Sequence, residues 1–350
     1  MDRGVSIVIP MYNAEKYIKK VLEAIFDQDY PAPVEVIVVN DGSTDASLKI
    51  VESFKDRHEL KIHELNIINQ PNSGAVSATN NGIKAATHDF ICSIDSDVVI
   101  CADWLSRIMT EFESKSVGAV QGYYKTPKEV SLLARLMGYD VEARYDAIPS
   151  KEVTQVCTGD TAYRKSALDK VGLFDGAFKY GYDNDMSYRL QAGGYRLIFR
   201  KDAVCDHYWK ADLPSYIRQQ YHSAYGRMQL LQKHTDRLTG DSVSGIRMIA
   251  QVPLTLFFIF TFVAWLLLSA VLVPAVPQSA TSLTMVALSL EWFASLSLGL
   301  ILFDRVFFAA SVYAKQRDVA VILLPVVHLL RNFVWCAALV VWCVKRDKIK

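Results

Sequence analysis

Apolar positions follow two regimes along this chain. Up to about residue 247, short apolar runs alternate with charged, amphipathic stretches, whereas from Met248 to Phe303 the only ionisable side chain is Glu291. In the first regime, residues 5–10 form a strand-length apolar run closed by proline, which predicts a buried strand. Residues 13–26 place Tyr17, Ile18, Val21, Leu22 and Ile25 at helical spacing, with Asn13 as the expected N-cap. The same reading predicts strands over residues 34–39, 60–68 and 90–94, and helices over 45–54 and 73–86. Further on, residues 130–145 and 186–192 read as amphipathic helices and 197–204 as a strand. Strands alternating with helices predict an α/β domain, a parallel sheet with helices on its faces. Ligands of such sheets sit at the carboxyl ends of the strands.

The second regime has the length of membrane crossings. A helix needs about 20 residues to cross a hydrocarbon core of about 30 Å. Two spans, about residues 249–273 and 283–303, meet that requirement. Pro274 and Pro277 mark an uncharged turn between them, while the flanks carry Arg247, Arg305, Lys315 and Arg317. The positive-inside bias then places the turn outside a cell membrane, and both flanks and the N-terminal domain on its cytoplasmic side. A third apolar segment, residues 319–344, is interrupted by Pro325, His328, Arg331 and Asn332 and precedes a basic tail. An interfacial helix, or a re-entrant pair broken near Arg331, keeps that tail inside; a full crossing puts it outside. The expected division is a domain over 1–230, a juxtamembrane linker over 231–247 and a multi-pass membrane region over 248–350.

Composition points the same way. Of 350 residues, 51% are hydrophobic and 21% charged, more apolar than is usual for a soluble enzyme of this size. A net charge of +1 argues against a nucleic-acid partner, since such binders carry a clear basic excess. The six cysteines form no C-x-x-C pair, so neither a zinc framework nor a disulfide scaffold is expected, and the thiols read as reduced. The opening residues lead straight into the first strand and are not read as a secretory signal. No G-x-G-x-x-G follows that strand and no G-x-x-x-x-G-K-[ST] occurs, which argues against dinucleotide or ATP binding of those kinds. With Glu291 as the one intramembrane carboxylate of the two spans, a transporter fits poorly.

Polar clusters fall where a ligand is expected. Asp95-Ser96-Asp97 ends the fourth strand. Two carboxylates so close repel, and a divalent cation relieves the repulsion. Hard oxygen ligands suit Mg2+ or Mn2+, which also bind phosphate oxygens and stabilise a leaving diphosphate. The alternative is a solvated turn. Asp41 and Asp45 flank Gly-Ser-Thr after the second strand, placed to cap a helix or, for Asp41, to accept from a nucleobase N–H. Ser73 and Gly74 open a helix with a small inner face, which either lets its backbone approach a ligand or simply caps it. Arg218 and Arg227 suit phosphate contacts or lipid headgroups.

Taken in order, Ser6-Ile7-Val8-Ile9-Pro10-Met11-Tyr12-Asn13, residues 40–45, Ser73-Gly74-Ala75 and Asp95-Ser96-Asp97 resemble the signature of family 2, the large inverting GT-A glycosyltransferase family. That family includes cellulose, hyaluronan and dolichyl-phosphate-sugar synthases. The likeness covers about the first 230 residues, and four motifs in order are far more specific than any one. It implies a Rossmann-like nucleotide-diphospho-sugar transferase domain followed by C-terminal transmembrane helices. By this resemblance Pro10, Tyr12 and Asp41 line a nucleotide pocket, Asp95 sits near the nucleotide, and Asp97 holds the metal on the diphosphate. His207 falls where many members complete the metal site. Gly159 and Asp160 resemble the family's acceptor-side turn.

Residues 172–175 and 181–190 resemble its G-x-F-D…E-D-x-D-L-x-x-R-L segment, with Asp183 on the general base. Asp183 also lies in a Gly- and Tyr-rich turn before a helix, placed to take a proton from a hydroxyl or to cap that helix. Asp185 reads as a cap or as a partner of Arg189. Two departures stand out: Tyr182 replaces the family's Glu, and the Q-x-x-R-W of processive synthases is absent from residues 218–227. The implied activity is transfer from a nucleotide sugar, UDP-linked by family habit, to a lipid-linked or glycan acceptor among membrane lipids. A polyprenyl-phosphate sugar synthase and a non-catalytic membrane scaffold are the alternatives.

Overall fold

The computed structural model describes residues 3–55, 64–210, 212–235, 240–272 and 281–345. Strands β1 (Val5–Met11), β2 (Val34–Asp41), β3 (Glu64–Gln70) and β4 (Phe90–Ile94) lie parallel in the order β3-β2-β1-β4. β1, β2 and β4 are buried almost end to end. A parallel strand is covered on both faces, which is why these three read as continuous apolar runs. Helices α1 (Ile18–Phe26), α2 (Ser47–Glu52) and α3 (Ala75–Ala85) provide the cover, α1 by burying Ile18, Val21, Leu22 and Ile25.

Beyond β4 the sheet is mixed. β5 (Val98–Ile100) and α4 (Trp104–Met109) follow, then β6 (Val117–Lys125) and α5 (Leu132–Asp146). A short β7 (Glu152–Val153) leads to β8 (Asp160–Arg164), which runs antiparallel between β4 and β6. After α6 (Lys165–Val171) and α7 (Tyr182–Ala192), β9 (Arg196–His207) lies parallel to β6 and carries β5 and β7 antiparallel beside it.

Two helix starts differ from expectation. α1 begins at Ile18 because Asn13 adopts φ +49° and its Oδ1 accepts from Thr44 N at 2.8 Å. Asn13 thus ties the loop after β1 to the loop after β2 instead of capping a helix. α3 begins at Ala75, preceded by Gly74 at φ +89° and without a side-chain cap. Residues 60–63 of the expected third strand lie outside the described residues.

At the C-terminal end, α8 (Leu213–Lys233), α9 (Ile246–Leu267), α10 (Thr281–Gln316) and α11 (Leu324–Lys345) pack together and onto α5. Three segments, Ile246–Ala270, Ser282–Gln316 and Val319–Lys345, are long and apolar enough to cross a membrane. α10 is longer than its expected span, continuing as one helix past Phe303. α11 runs unbroken through Arg331, so the re-entrant break expected there does not occur. The polar interruptions of its sequence face protein: His328 and Arg331 meet Asp140 of α5 at 3.2 and 3.4 Å, and Asn332 donates to Gln251 of α9 at 3.0 Å. The turn at Pro274 and Pro277 and the tail after Lys345 lie outside the described residues.

Candidate active site

Asp95 and Asp97 leave the carboxyl end of β4, in the middle of the sheet. Asp95 N donates to Gly159 O and Val98 N to Asp95 O, both at 3.0 Å, so the turn is tied to the start of β8. Position 159 is glycine for a steric reason: a Cβ there would stand 2.3 Å from Asp95 Oδ2. His207, the last residue of β9, is paired with Val98 in the ladder, which returns its ring to the same turn. Its Nε2 lies 3.5 Å from Asp97 Oδ1, and Lys210 Nζ lies 3.9 Å from Asp97 Oδ2. The ring rests between Tyr124 and Trp209, at centroid distances of 4.7 and 3.7 Å, and its Nδ1 is buried without a partner.

Burial raises the Asp95 carboxyl above the usual range, and the charge of Asp97 adds to that. Burial also acts on Asp97, but His207 and Lys210 outweigh it and hold that carboxyl low. Among the described residues no three His, Cys, Asp or Glu side chains form a closed metal cage. Mg2+ at nucleotide sites takes one or two carboxylates and fills the rest from water and phosphate oxygens. An open pair such as Asp97 and His207 fits that use, and imidazole is acceptable to Mn2+.

Asp183 is the second residue of α7, following Gly181 at φ +81°. Its Oδ1 accepts from Asn184 N at 2.9 Å. Burial pushes its carboxyl up to about 6 against that hydrogen bond; Asp241 raises it further and Arg227 opposes. At that value the group is ionised at neutral pH and still basic enough to accept a proton. Its charge adds to the raising of the Asp95 carboxyl. A cavity of about 660 Å³ opens from Asp183 past Trp209 toward Met248 and Pro253 of α9 and Arg331 of α11. Trp209 lines it while touching His207, and so borders both the Asp97–His207 corner and the cavity.

Several expected site residues stand differently. Pro10 is half-buried within β1 and Tyr12 is exposed just beyond it. The Asp41 carboxylate, buried at the end of β2, accepts from Gln70 Nε2 at 2.7 Å, Ser73 N at 2.7 Å and Gly74 N at 2.8 Å. Asp41, Ser73 and Gly74 therefore bind one another, and a nucleobase N–H would have to share an oxygen already in use. The Asp160 side chain is fully buried in β8 against Cys205, and burial pushes its carboxyl well up. Arg227 is not a free phosphate ligand, because it pairs with Asp241 at 2.8 Å, but its Nη2 is buried without a partner beside the cavity. Asp185 is wholly internal, paired with Arg189 at 2.8 Å, Lys233 at 2.9 Å and His234 at 2.8 Å. Sequence reasoning missed Trp209 and Asp241. Trp209 was findable, since it continues past His207 with the two-residue period of a strand; Asp241 carries no such signal.

A family model for Glycosyl transferase family 2 matches residues 6–172, and one for Glycosyl transferase family group 2 matches residues 90–344. The chain belongs to glycosyl transferase family group 2. It is 26% identical over 208 residues to a poly-beta-1,6-N-acetyl-D-glucosamine synthase of Staphylococcus epidermidis, covering 58% of this chain and 49% of that one. It is 27% identical over 269 residues to a pre-mycofactocin glycosyltransferase of Mycobacterium tuberculosis, covering 73% of this chain and 53% of that one. The chain thus spans about half the length of the curated relatives it matches. Among solved structures it resembles a mannosyltransferase from Pyrobaculum calidifontis in complex with GDP-Man and Mn2+, with a TM-score of 0.60 at 17% identity over 98% of this chain and 88% of that one. That likeness extends the shared fold to the C-terminal helices.

Proposed function

We propose that this chain is an inverting, metal-dependent glycosyltransferase. It moves a sugar from a nucleotide sugar, a UDP-sugar first, to a hydroxyl of a lipid-linked or glycan acceptor at the cytoplasmic face of a membrane. One observation supports the reading: Trp209 packs on the His207 ring that pairs with Asp97 and lines the same cavity as Asp183. Asp97 and His207 hold the cation and Asp95 faces the nucleotide. Mn2+ or Mg2+ bound there supplies positive charge to the departing diphosphate. Asp183 takes the proton from the attacking hydroxyl, and a single base acting opposite the leaving group gives single displacement with inversion. Pro10, Tyr12, Ser73 and Gly74, at the carboxyl ends of β1 and β3, border the nucleotide side. The names of the two curated relatives agree with sugar transfer, and the GDP-Man in the archaeal neighbour makes a guanosine donor worth testing beside uridine.

The test uses the purified full-length chain in detergent with Mn2+. Binding and slow hydrolysis of a panel of UDP- and GDP-sugars are measured, and loss of both on adding a chelator is expected. A chain that binds none of them has a different function.

A further inference from the structure

The segment leading into α9 folds back onto the catalytic domain. Ser242 N donates to Thr154 Oγ1 at 3.0 Å and Thr154 N donates to Ser242 Oγ at 3.1 Å, a reciprocal pair that pins the segment beside β7. Asp241 N donates to Ser244 O at 3.3 Å, and Asp241 Oδ1 accepts from Val243 N at 3.0 Å and Ser244 N at 2.6 Å. These bonds close a turn directly before α9. The second oxygen, Oδ2, serves the catalytic domain instead: it accepts from Asn184 Nδ2 at 3.3 Å and from Arg227 Nη1 at 2.8 Å. The Asp241 side chain is only 1% exposed, so these partners take the place of water.

Both partners of Oδ2 bear on Asp183. Asn184 follows it on α7, and its backbone N–H donates to Asp183 Oδ1 at 2.9 Å while its side chain is held by Asp241. Arg227 reaches in from α8. A guanidinium is planar, so fixing Nη1 on Asp241 also fixes the direction of Nη2. That Nη2 is buried without a partner, and Arg227, Asn184 and Asp183 line one cavity. A carboxylate that only shaped the turn would need Oδ1 alone. The bonds of Oδ2 cross instead to two other helices, α7 and α8.

We propose that Asp241 is a positioning residue for Asp183, acting through Asn184 and Arg227, and that it ties the base to the start of α9. This rests on the glycosyltransferase reading above and adds a residue to its acid–base side. Electrostatics give the assignment a sign. Asp241 pushes the Asp183 carboxyl up and Arg227 pulls it down. Removing the Asp241 charge ends the repulsion and leaves Arg227 uncompensated, and both changes favour ionised Asp183. Removing Arg227 does the opposite. The Asp183 charge also acts on Asp95, Cys157, Tyr163 and Tyr182, and both substitutions leave those groups in place.

Asp241→Asn is the informative variant, because its amide oxygen can still accept from Val243 N and Ser244 N while the charge is gone. The titration of Asp183 is followed in the full-length chain in detergent through the NMR signal of its labelled carboxyl carbon, identified by its loss in Asp183→Asn. The midpoint should fall by about one pH unit in Asp241→Asn and rise by about as much in Arg227→Met. In hydrolysis of the nucleotide sugar that the wild-type chain turns over fastest, Asp241→Asn should lower kcat about ten-fold or more with little change in donor KM. An unmoved midpoint in Asp241→Asn, shifts of the same sign in both variants, or equal losses of kcat and donor affinity overturn the inference. A chain that hydrolyses no nucleotide sugar loses the broader reading, while the two midpoints still decide whether Asp241 acts on Asp183.

Discussion

If Asp183 is the base proposed here, it works only when ionised, and its raised carboxyl sets a lower pH limit on turnover. Its value of about 6 means that kcat/KM should be level above that pH. Below it, the rate should fall about ten-fold per pH unit as the base takes up its proton. Asp183→Asn should abolish this limb and lower kcat about 100-fold or more while donor affinity persists. Retained turnover in that variant would mean that another group takes the proton. At the opposite side of the cleft, His207→Ala should raise the Mn2+ concentration for half-maximal activity, because Asp97 would face the cation without its 3.5 Å partner. The positions of Asp95, Asp97 and Asp183 were legible in the sequence because each follows a strand or opens a helix. For Asp160, adjacency to Gly159 says nothing of direction: in β8 the side chain turns inward to Cys205. Asp41 is polar enough for a ligand, but only the folded chain reveals the three donors already on it.

Two elements position Asp183, and both can be tested by stability. α8 crosses the turn before α7 so closely that a Cβ at Gly226 would stand 2.6 Å from Tyr180 O. Gly226→Ala should therefore cost about 1–3 kcal/mol by overpacking. Because the strain falls on the turn leading into Asp183, kcat should drop more than donor affinity does; an unchanged melting temperature and kcat would show that α8 does not bear on the turn. α7 is anchored one turn further on. Burial would raise the Asp185 carboxyl, but His234, Lys233 and Arg189 together hold it below the usual range. Asp185→Asn, which leaves those cations without their carboxylate, should destabilise the fold by about 3–5 kcal/mol in denaturant titration. The sign follows for pH: a depressed carboxyl stabilises above its ordinary range and ceases to as pH falls through its folded value. The parallel half of the sheet was readable because buried strands and their helices alternate locally. The antiparallel β8 and the pairing of β5 with β9 were not, since they depend on contacts between residues far apart in sequence.

For the whole molecule the open matter is how much of the C-terminal region enters the bilayer. α9 and α10 have the length and apolar surface of crossings. α11 has them too, but its packing differs. α8 is tied to the catalytic domain at both ends: Asp212, shortly after β9, caps its start, and Lys233 and His234 at its close bind Asp185. A helix fixed in that way runs over the domain surface. α11 lies along it through Tyr216 to Val327 and Gln220 to Trp335, and turns His328 and Arg331 toward Asp140. Its exposed side, with Val326, Val340 and Val344, is left for lipid. We propose on this ground that α11 is a helix of the membrane interface, apolar on one face and docked on protein by the other. The consequence is measurable with a tag added after Lys350. In inverted membrane vesicles a protease should remove the tag and digest the catalytic domain together. A tag that stays protected until the vesicles are opened would make α11 a third crossing, and would require its Arg331 contacts to be made from within the bilayer.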